Sequence, residues 1–204
     1  MLMQGRIEIC GGIASGKTTL ASVLEREGFV AIYEKFDANP FLNEFYVNKT
    51  INSSFETEIT FVLLHYNWIK TLLSEKKVVC DYAMLQDLSY GKNNLSFEEI
   101  AIFESLYNHL MTQICSPILT IYLKCNVDCL LERIKQRGRI FEQGIDRAYL
   151  QSSINALEEE LKNKKNLLII ESDRYNFLND DKEYILHLIK TKYNLIISNN
   201  KAQN

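Results

Sequence analysis

Gly11-Gly12-Ile13-Ala14-Ser15-Gly16-Lys17-Thr18 constrains this chain more than any other segment. It fits the spacing G-x-x-x-x-G-K-[ST] with no deviation. Ahead of it, Arg6 to Cys10 reads as a short buried strand that stops at the paired glycines. Behind it, Gly16 to Glu27 carries Leu20, Val23 and Leu24 at helical spacing, and Gly28 ends the helix. A strand, a glycine-rich turn and a helix in this order suit a phosphate. The glycines let the backbone turn tightly, so that successive N–H groups point at phosphate oxygens, and the helix start adds the positive end of its dipole. Lys17 is expected to reach the β- and γ-phosphates of ATP. The Thr18 hydroxyl is expected to ligate Mg²⁺, with Thr19 beside it.

The remaining elements alternate. Strands are predicted at Phe29 to Tyr33, Val78 to Cys80, Ile118 to Leu123 and Leu167 to Ile170. Asn39-Pro40 opens a short helix to about Asn48. A long helix follows from Phe55 to Glu75, with Phe61, Leu64, Trp68 and Leu72 on one stripe. Ser96 and Glu99 have capping-box spacing for a helix reaching about Cys115, where Pro117 breaks the pattern. Further helices are predicted for Val127 to Arg137, Asp146 to Lys164 and Asp181 to Lys190. Strands separated by helices imply an α/β P-loop kinase fold, with a five-stranded parallel sheet and helices on both faces. Residues 1–197 are read as one domain, and 198–204 as a disordered tail.

A net charge of −3 gives no basic face for nucleic acid. No apolar run approaches the ~20 residues that cross a bilayer, and Arg6 and Glu8 interrupt the stretch a signal peptide would need. The five cysteines, an odd number, fall mostly in apolar runs and read as reduced thiols in a cytoplasmic protein rather than a zinc site.

Arg133, Arg137 and Arg139 cluster around Gly138 at a helix end, where planar guanidinium groups suit a transferring phosphoryl group. Between Arg26 and Arg133 there is no arginine at all. That stretch should hold the acceptor, and a phosphate-bearing acceptor would call for arginine. A neutral alcohol fits better. Glu34 follows the second strand and Asp81 the third, so both are expected at the carboxyl edge of the sheet beside the phosphate loop, as general base and as metal-shell or positioning group.

These segments resemble the deoxynucleoside kinases of the deoxycytidine, deoxyguanosine and deoxyadenosine type, especially small bacterial members. The resemblance runs from Ile7 to about Lys182 and includes Glu34 through Asn39-Pro40-Phe41, Phe45-Tyr46, Cys80-Asp81, and Arg133 through Glu142-Gln143-Gly144-Ile145 to Tyr149-Leu150. It implies that Glu34 activates a sugar 5′-hydroxyl, that Tyr46 and Glu142 hold the 3′-hydroxyl, and that the arginines form a LID over the phosphates. It further implies that Asp87 lies near the base, that the segment Glu171 to Phe177, with Asp173, packs on adenine, and that Thr18, Glu34 and Asp81 serve Mg²⁺. A homodimer joined through helices is also implied, with Phe55 to Glu75 a candidate.

Three positions depart from the family pattern. Glu58 stands where a glutamine usually reads the base, His65 where an arginine is usual, and Tyr82 where an arginine normally lies beside the catalytic carboxylate. An ionised Glu58 only accepts hydrogen bonds, which matches the two adjacent donors of guanine; a shifted register would instead leave it on the solvent face. His65 could equally be a hydrogen-bonded core histidine. The rival readings are a thymidylate-kinase-like nucleotide kinase, a nucleotide-binding protein with weak activity, which Tyr82 would favour, and a P-loop kinase of another small alcohol.

Overall fold

The computed structural model describes residues 5–47, 53–72, 74, 75 and 77–202. Five strands, β1 (Gly5–Gly11), β2 (Val30–Ile32), β3 (Lys77–Cys80), β4 (Leu119–Lys124) and β5 (Leu167–Glu171), form one sheet in the order β2-β3-β1-β4-β5. Every pairing is parallel, with Ile7 opposite both Val79 and Leu119. A parallel sheet needs cover on both faces, and β1 is buried along its whole length.

Alternation along β1 sends Ile7 and Ile9 to one side. There they pack with Leu20, Val23 and Leu24 of α1 (Lys17–Arg26) and with Ile185, Ile189 and Tyr193 of α8 (Lys182–Ala202). The other side is covered by α3 (Ser54–Thr71), α4 (Met84–Asn94), α5 (Phe97–Met111) and α7 (Arg147–Leu161). Two short helices, α2 (Leu42–Val47) and α6 (Val127–Arg137), border the carboxyl edge of the sheet.

Four features differ from the sequence reading. The helix α4 was not predicted, because its buried residues include Gln86, Asp87, Ser89 and Gly91, so its inward face is polar and no apolar stripe marks it. In α3 the buried face is Thr57, Glu58, Val62, His65, Tyr66 and Ile69, and the predicted stripe of Phe61, Leu64 and Trp68 lies beside it, half-buried. This helix ends at Thr71, short of the predicted Glu75. At the other end of the chain, α8 runs through Lys190 to Ala202, across most of the segment expected to be without structure. The predicted end of α2 near Asn48 lies outside the described residues.

The polar side of β1 holds an ion pair in the core. Arg6 and Glu8 are 0% and 1% exposed, with Arg6 Nε donating to Glu8 Oε1 at 2.9 Å. Both partners are also held elsewhere: Arg6 Nη2 donates to the Cys115 carbonyl, and Glu8 Oε2 accepts from the Met84 N–H at the start of α4. The pair therefore positions α4 against β1. Removing one member leaves a buried charge uncompensated, so Arg6→Met should lose about 3–5 kcal/mol of stability. Arg6→Met with Glu8→Leu should recover most of it in urea unfolding, and an Arg6→Met loss below about 1 kcal/mol would contradict this assignment.

Candidate active site

The phosphate loop leaves β1 through backbone geometry that side chains resist. Gly11 has φ +147° and Gly16 has φ +100°. A Cβ on Gly11 would lie 2.6 Å from the Leu123 carbonyl oxygen and 2.7 Å from Ser15 Oγ. The Gly11 peptide is also clasped from outside: its N–H donates to Gln86 Oε1 at 2.9 Å, and Gln86 Nε2 donates back to its carbonyl at 3.1 Å. Lys17 Nζ donates to the Gly11 and Gly12 carbonyls at 2.9 and 3.1 Å. Burial pushes the Lys17 ammonium down from its usual range, and the nearby carboxylates Glu34 and Asp81 oppose that shift.

Three strand ends meet at Asp81. Its Oδ2 accepts from Thr18 Oγ1 at 2.7 Å, and its Oδ1 accepts from the Glu34 N–H at 2.6 Å. Burial raises the Asp81 carboxyl, and these two donors work against the rise. A hydroxyl beside a carboxylate supplies the hard oxygen donors that Mg²⁺ takes while keeping waters and substrate phosphates as its other ligands. The described residues contain no cluster of three or more His, Cys, Asp or Glu that would cage a metal by themselves.

A cavity of about 870 Å³ opens from the loop. Residues 13–19 line its loop end, where Arg133 reaches the Ser15 carbonyl at 3.4 Å, and Arg137 and Arg139 line the cavity too. Gly11 and Gly12 lie behind that wall and line a small separate recess instead. The opposite end is made by Glu34, Tyr46, Glu58, His65, Tyr82, Asp87 and Glu142. Asp173, Tyr175 and Phe177 of the segment after β5 line it too, and Asp173 accepts from Asn126 Nδ2 at 2.7 Å.

Charge in the far end is organised by His65. Its Nδ1 lies 2.9 and 3.0 Å from the two oxygens of Asp87, and its Nε2 lies 3.2 Å from Glu34 Oε1, an ion-pair contact without hydrogen-bond alignment. The ring stacks on Tyr82 at 3.9 Å with the planes 12° apart, and Tyr82 Oη donates to the His65 carbonyl. Burial alone would push the imidazole down, but Asp87 and Glu34 outweigh it and raise it to about 10. His65 is thus part of the cavity wall and carries positive charge between two carboxylates. Glu58 is buried and faces the cavity, so the solvent-face register is excluded.

The LID is drawn toward the same end. Gly138 closes α6 in the left-handed conformation (φ +67°) and turns the chain between Arg137 and Arg139. Arg137 grips Glu142 through Nε at 3.0 Å and Nη2 at 2.5 Å, and Arg139 Nη1 lies 3.4 Å from the same carboxylate. Arg139 also stacks over Phe36 at 4.5 Å. Arg133 donates to the Ser172 carbonyl at 2.7 Å, tying α6 to the segment after β5.

A family model described as deoxynucleoside kinase matches residues 7–196. The chain belongs to the deoxynucleoside kinase family. It is 33% identical to a deoxyguanosine kinase of Bacillus subtilis over 162 residues, 76% of this chain and 78% of the relative. It is also 33% identical to a deoxyadenosine kinase of Lactobacillus acidophilus, over 67% of this chain and 68% of that one. Among solved structures, the deoxyadenosine kinase of M. mycoides with products dCMP and a flexible dCDP bound superposes with a TM-score of 0.74 at 20% identity. That likeness covers 97% of this chain and 99% of the other. Family membership establishes a phosphotransferase kinase and removes the thymidylate-kinase-like reading.

Several cavity residues of this kinase escape sequence reading. Gln86 and Tyr90 line the cavity from the unpredicted α4, on which Asn94 also donates to Glu58, and Phe36, Phe141 and Tyr149 line it without having been assigned a role from the sequence. The wide spacing of Gln86 from the loop, 75 positions along the chain, leaves no local signal. Replacing Gln86 by Leu would leave the Gly11 N–H buried without an acceptor, which costs about 1–3 kcal/mol. If the clasp shapes the loop, Gln86→Leu should weaken ATP binding about tenfold in direct titration; an unchanged dissociation constant would refute it.

Proposed function

We propose that this kinase transfers the γ-phosphoryl group of ATP to the 5′-hydroxyl of a deoxynucleoside, with a guanine-type purine preferred. One observation carries the reading: Glu34 stands between the phosphate loop and His65, its backbone N–H held by the Asp81 carboxylate that also accepts from Thr18, and its own carboxylate facing His65. A carboxylate there is suited to take the proton of a primary hydroxyl as the oxygen attacks the γ-phosphorus and the bond to the ADP oxygen breaks. Lys17, Arg133, Arg137 and Arg139 would offset the charge on the phosphoryl oxygens, with the amides of residues 13–18 holding the triphosphate, since the Gly11 N–H is taken by Gln86. Thr18, Asp81 and Glu34 would hold Mg²⁺, which would supply positive charge to offset that of the phosphates.

At the acceptor end, Tyr46 and Glu142 are the proposed partners of the sugar, Glu58 and Asp87 of the base, and Asp173 lies on the adenine side of ATP. The guanine preference is supported by the similarity to deoxyguanosine kinases, and Glu58 in its ionised form matches the two adjacent donors of guanine. Tyr82 does not favour the weakly active alternative, because His65 supplies a positive group beside Glu34 where the usual arginine is missing. A homodimer is proposed from the family likeness; α3 and α5 present Leu63, Phe97 and Ile102 to solvent. A cytoplasmic setting agrees with the free thiols, and no helix among the described residues is long and apolar enough to cross a membrane.

Glu34→Gln keeps the side chain's size but cannot accept the proton. It should lower kcat at least about a hundredfold with deoxyguanosine and ATP, while ATP affinity stays within about twofold. Turnover close to that of the unaltered enzyme would overturn the assignment.

A further inference from the structure

Glu58 is an unusual group to find where a base would dock. Its carboxyl is buried in the cavity wall, 4% exposed, and Asn94 Nδ2 donates to its Oε1 at 2.7 Å. The orientation of that amide is fixed from behind, because Asn94 Oδ1 accepts from Asn93 Nδ2 at 2.8 Å. Oε1 is therefore committed as an acceptor, and Oε2 is the atom free to carry or release a proton.

The groups around Glu58 come from each neighbouring element. Its own helix α3 contributes His65, the segment after β2 contributes Glu34, and α4 contributes Asp87 and Tyr90. Helix α2 contributes Tyr46 and α7 contributes Tyr149, whose hydroxyl accepts from Asn94. The LID arginines Arg137 and Arg139 are engaged by Glu142. Two of these neighbours are carboxylates and three are phenols, while the one imidazolium is already shared between Asp87 and Glu34.

We infer that Glu58 selects the base through its own proton: as a carboxylate it takes a base edge with two adjacent donors, and as the acid it takes an edge with a donor beside an acceptor. The inference rests on the nucleoside-kinase reading above and deepens it. Guanine, with its ring N–H and exocyclic amine, fits the carboxylate; adenine and cytosine fit the acid, in which Oε1 accepts and Oε2–H donates. Burial raises the Glu58 carboxyl to about 8, opposed by the Asn94 hydrogen bond and His65 and reinforced by Asp87 and Glu34. The direction of the effect follows. Below that value the acid predominates, so binding guanine must expel a proton, whereas binding adenine need not.

Competition between substrates isolates this effect, because any titration of Lys17, Glu34 or the phosphates acts on both substrates and cancels in a ratio. The ratio of kcat/KM for deoxyguanosine over deoxyadenosine should climb with pH between about 6.5 and 8.5, approaching about tenfold per unit. Glu58→Gln, a fixed donor beside a fixed acceptor, should flatten the ratio and lower it. Titration calorimetry of the unaltered protein, in two buffers of different ionisation heat, needs neither turnover nor a variant. Near neutral pH it should count about one proton released with deoxyguanosine and about none with deoxyadenosine. A pH-independent ratio with equal proton counts would overturn the inference and leave the kinase reading standing. A proton count that differs between the nucleosides, with neither phosphorylated, would support the inference and overturn the proposed reaction.

Discussion

The site depends on the carboxylate of Asp81. It accepts from the Thr18 hydroxyl on the helix that follows β1 and from the Glu34 N–H beyond β2, while itself standing at the end of β3. Parallel strands bring their carboxyl ends to one edge, but alignment alone does not set the spacing of loops that leave it. Two hydrogen bonds to one buried carboxylate do. They hold the phosphate loop and the candidate base in one frame, so that the distance between donor and acceptor substrates is built in before either arrives.

Around this junction the cavity is divided by charge. Lys17 and Arg133 stand beside the loop and Arg137 and Arg139 reach over to Glu142, while Glu34 and Asp87 gather around His65 with Glu58 near them. An acidic wall repels a second phosphate and welcomes hydrogen-bond donors on a neutral ligand. His65 keeps this wall from being wholly repulsive, since it pairs with Asp87 and Glu34 at once. Glu142 belongs to both halves, because its side chain is buried at the acceptor end while Arg137 and Arg139 grip it from the LID. The LID position is thereby coupled to the acceptor end through direct contacts.

Local patterns revealed what local physics controls. The phosphate loop, the five strands and the arginines around Gly138 are short motifs or short periodicities, and each appears where its residues suggest. The gap without arginine between Arg26 and Arg133 was expected to hold the acceptor, and Glu34, Tyr46, Glu58, His65 and Asp87 from that gap do line the cavity. What escaped depends on tertiary context. Helix α4 turns Gln86 inward to bond Gly11 and Asp87 inward to bond His65, with Ser89 buried and bonded to its own helix, which erases the apolar stripe that announces a helix. The face of α3 was misplaced for the same reason, since its buried side includes Glu58 and His65 as well as Val62 and Ile69. The proton preference of Glu58 depends on how far it is desolvated, a property of the assembled cavity and not of the residue type.

A junction of this kind would align a triphosphate with an uncharged alcohol. Transfer of label from [γ-³²P]ATP tests it directly, with deoxyguanosine and its 5′-monophosphate offered in separate reactions and the products resolved by chromatography. The expected products are labelled 5′-monophosphate from the nucleoside and little or no labelled diphosphate from the monophosphate. Label passing to the monophosphate in preference, or appearing only as inorganic phosphate, would contradict it.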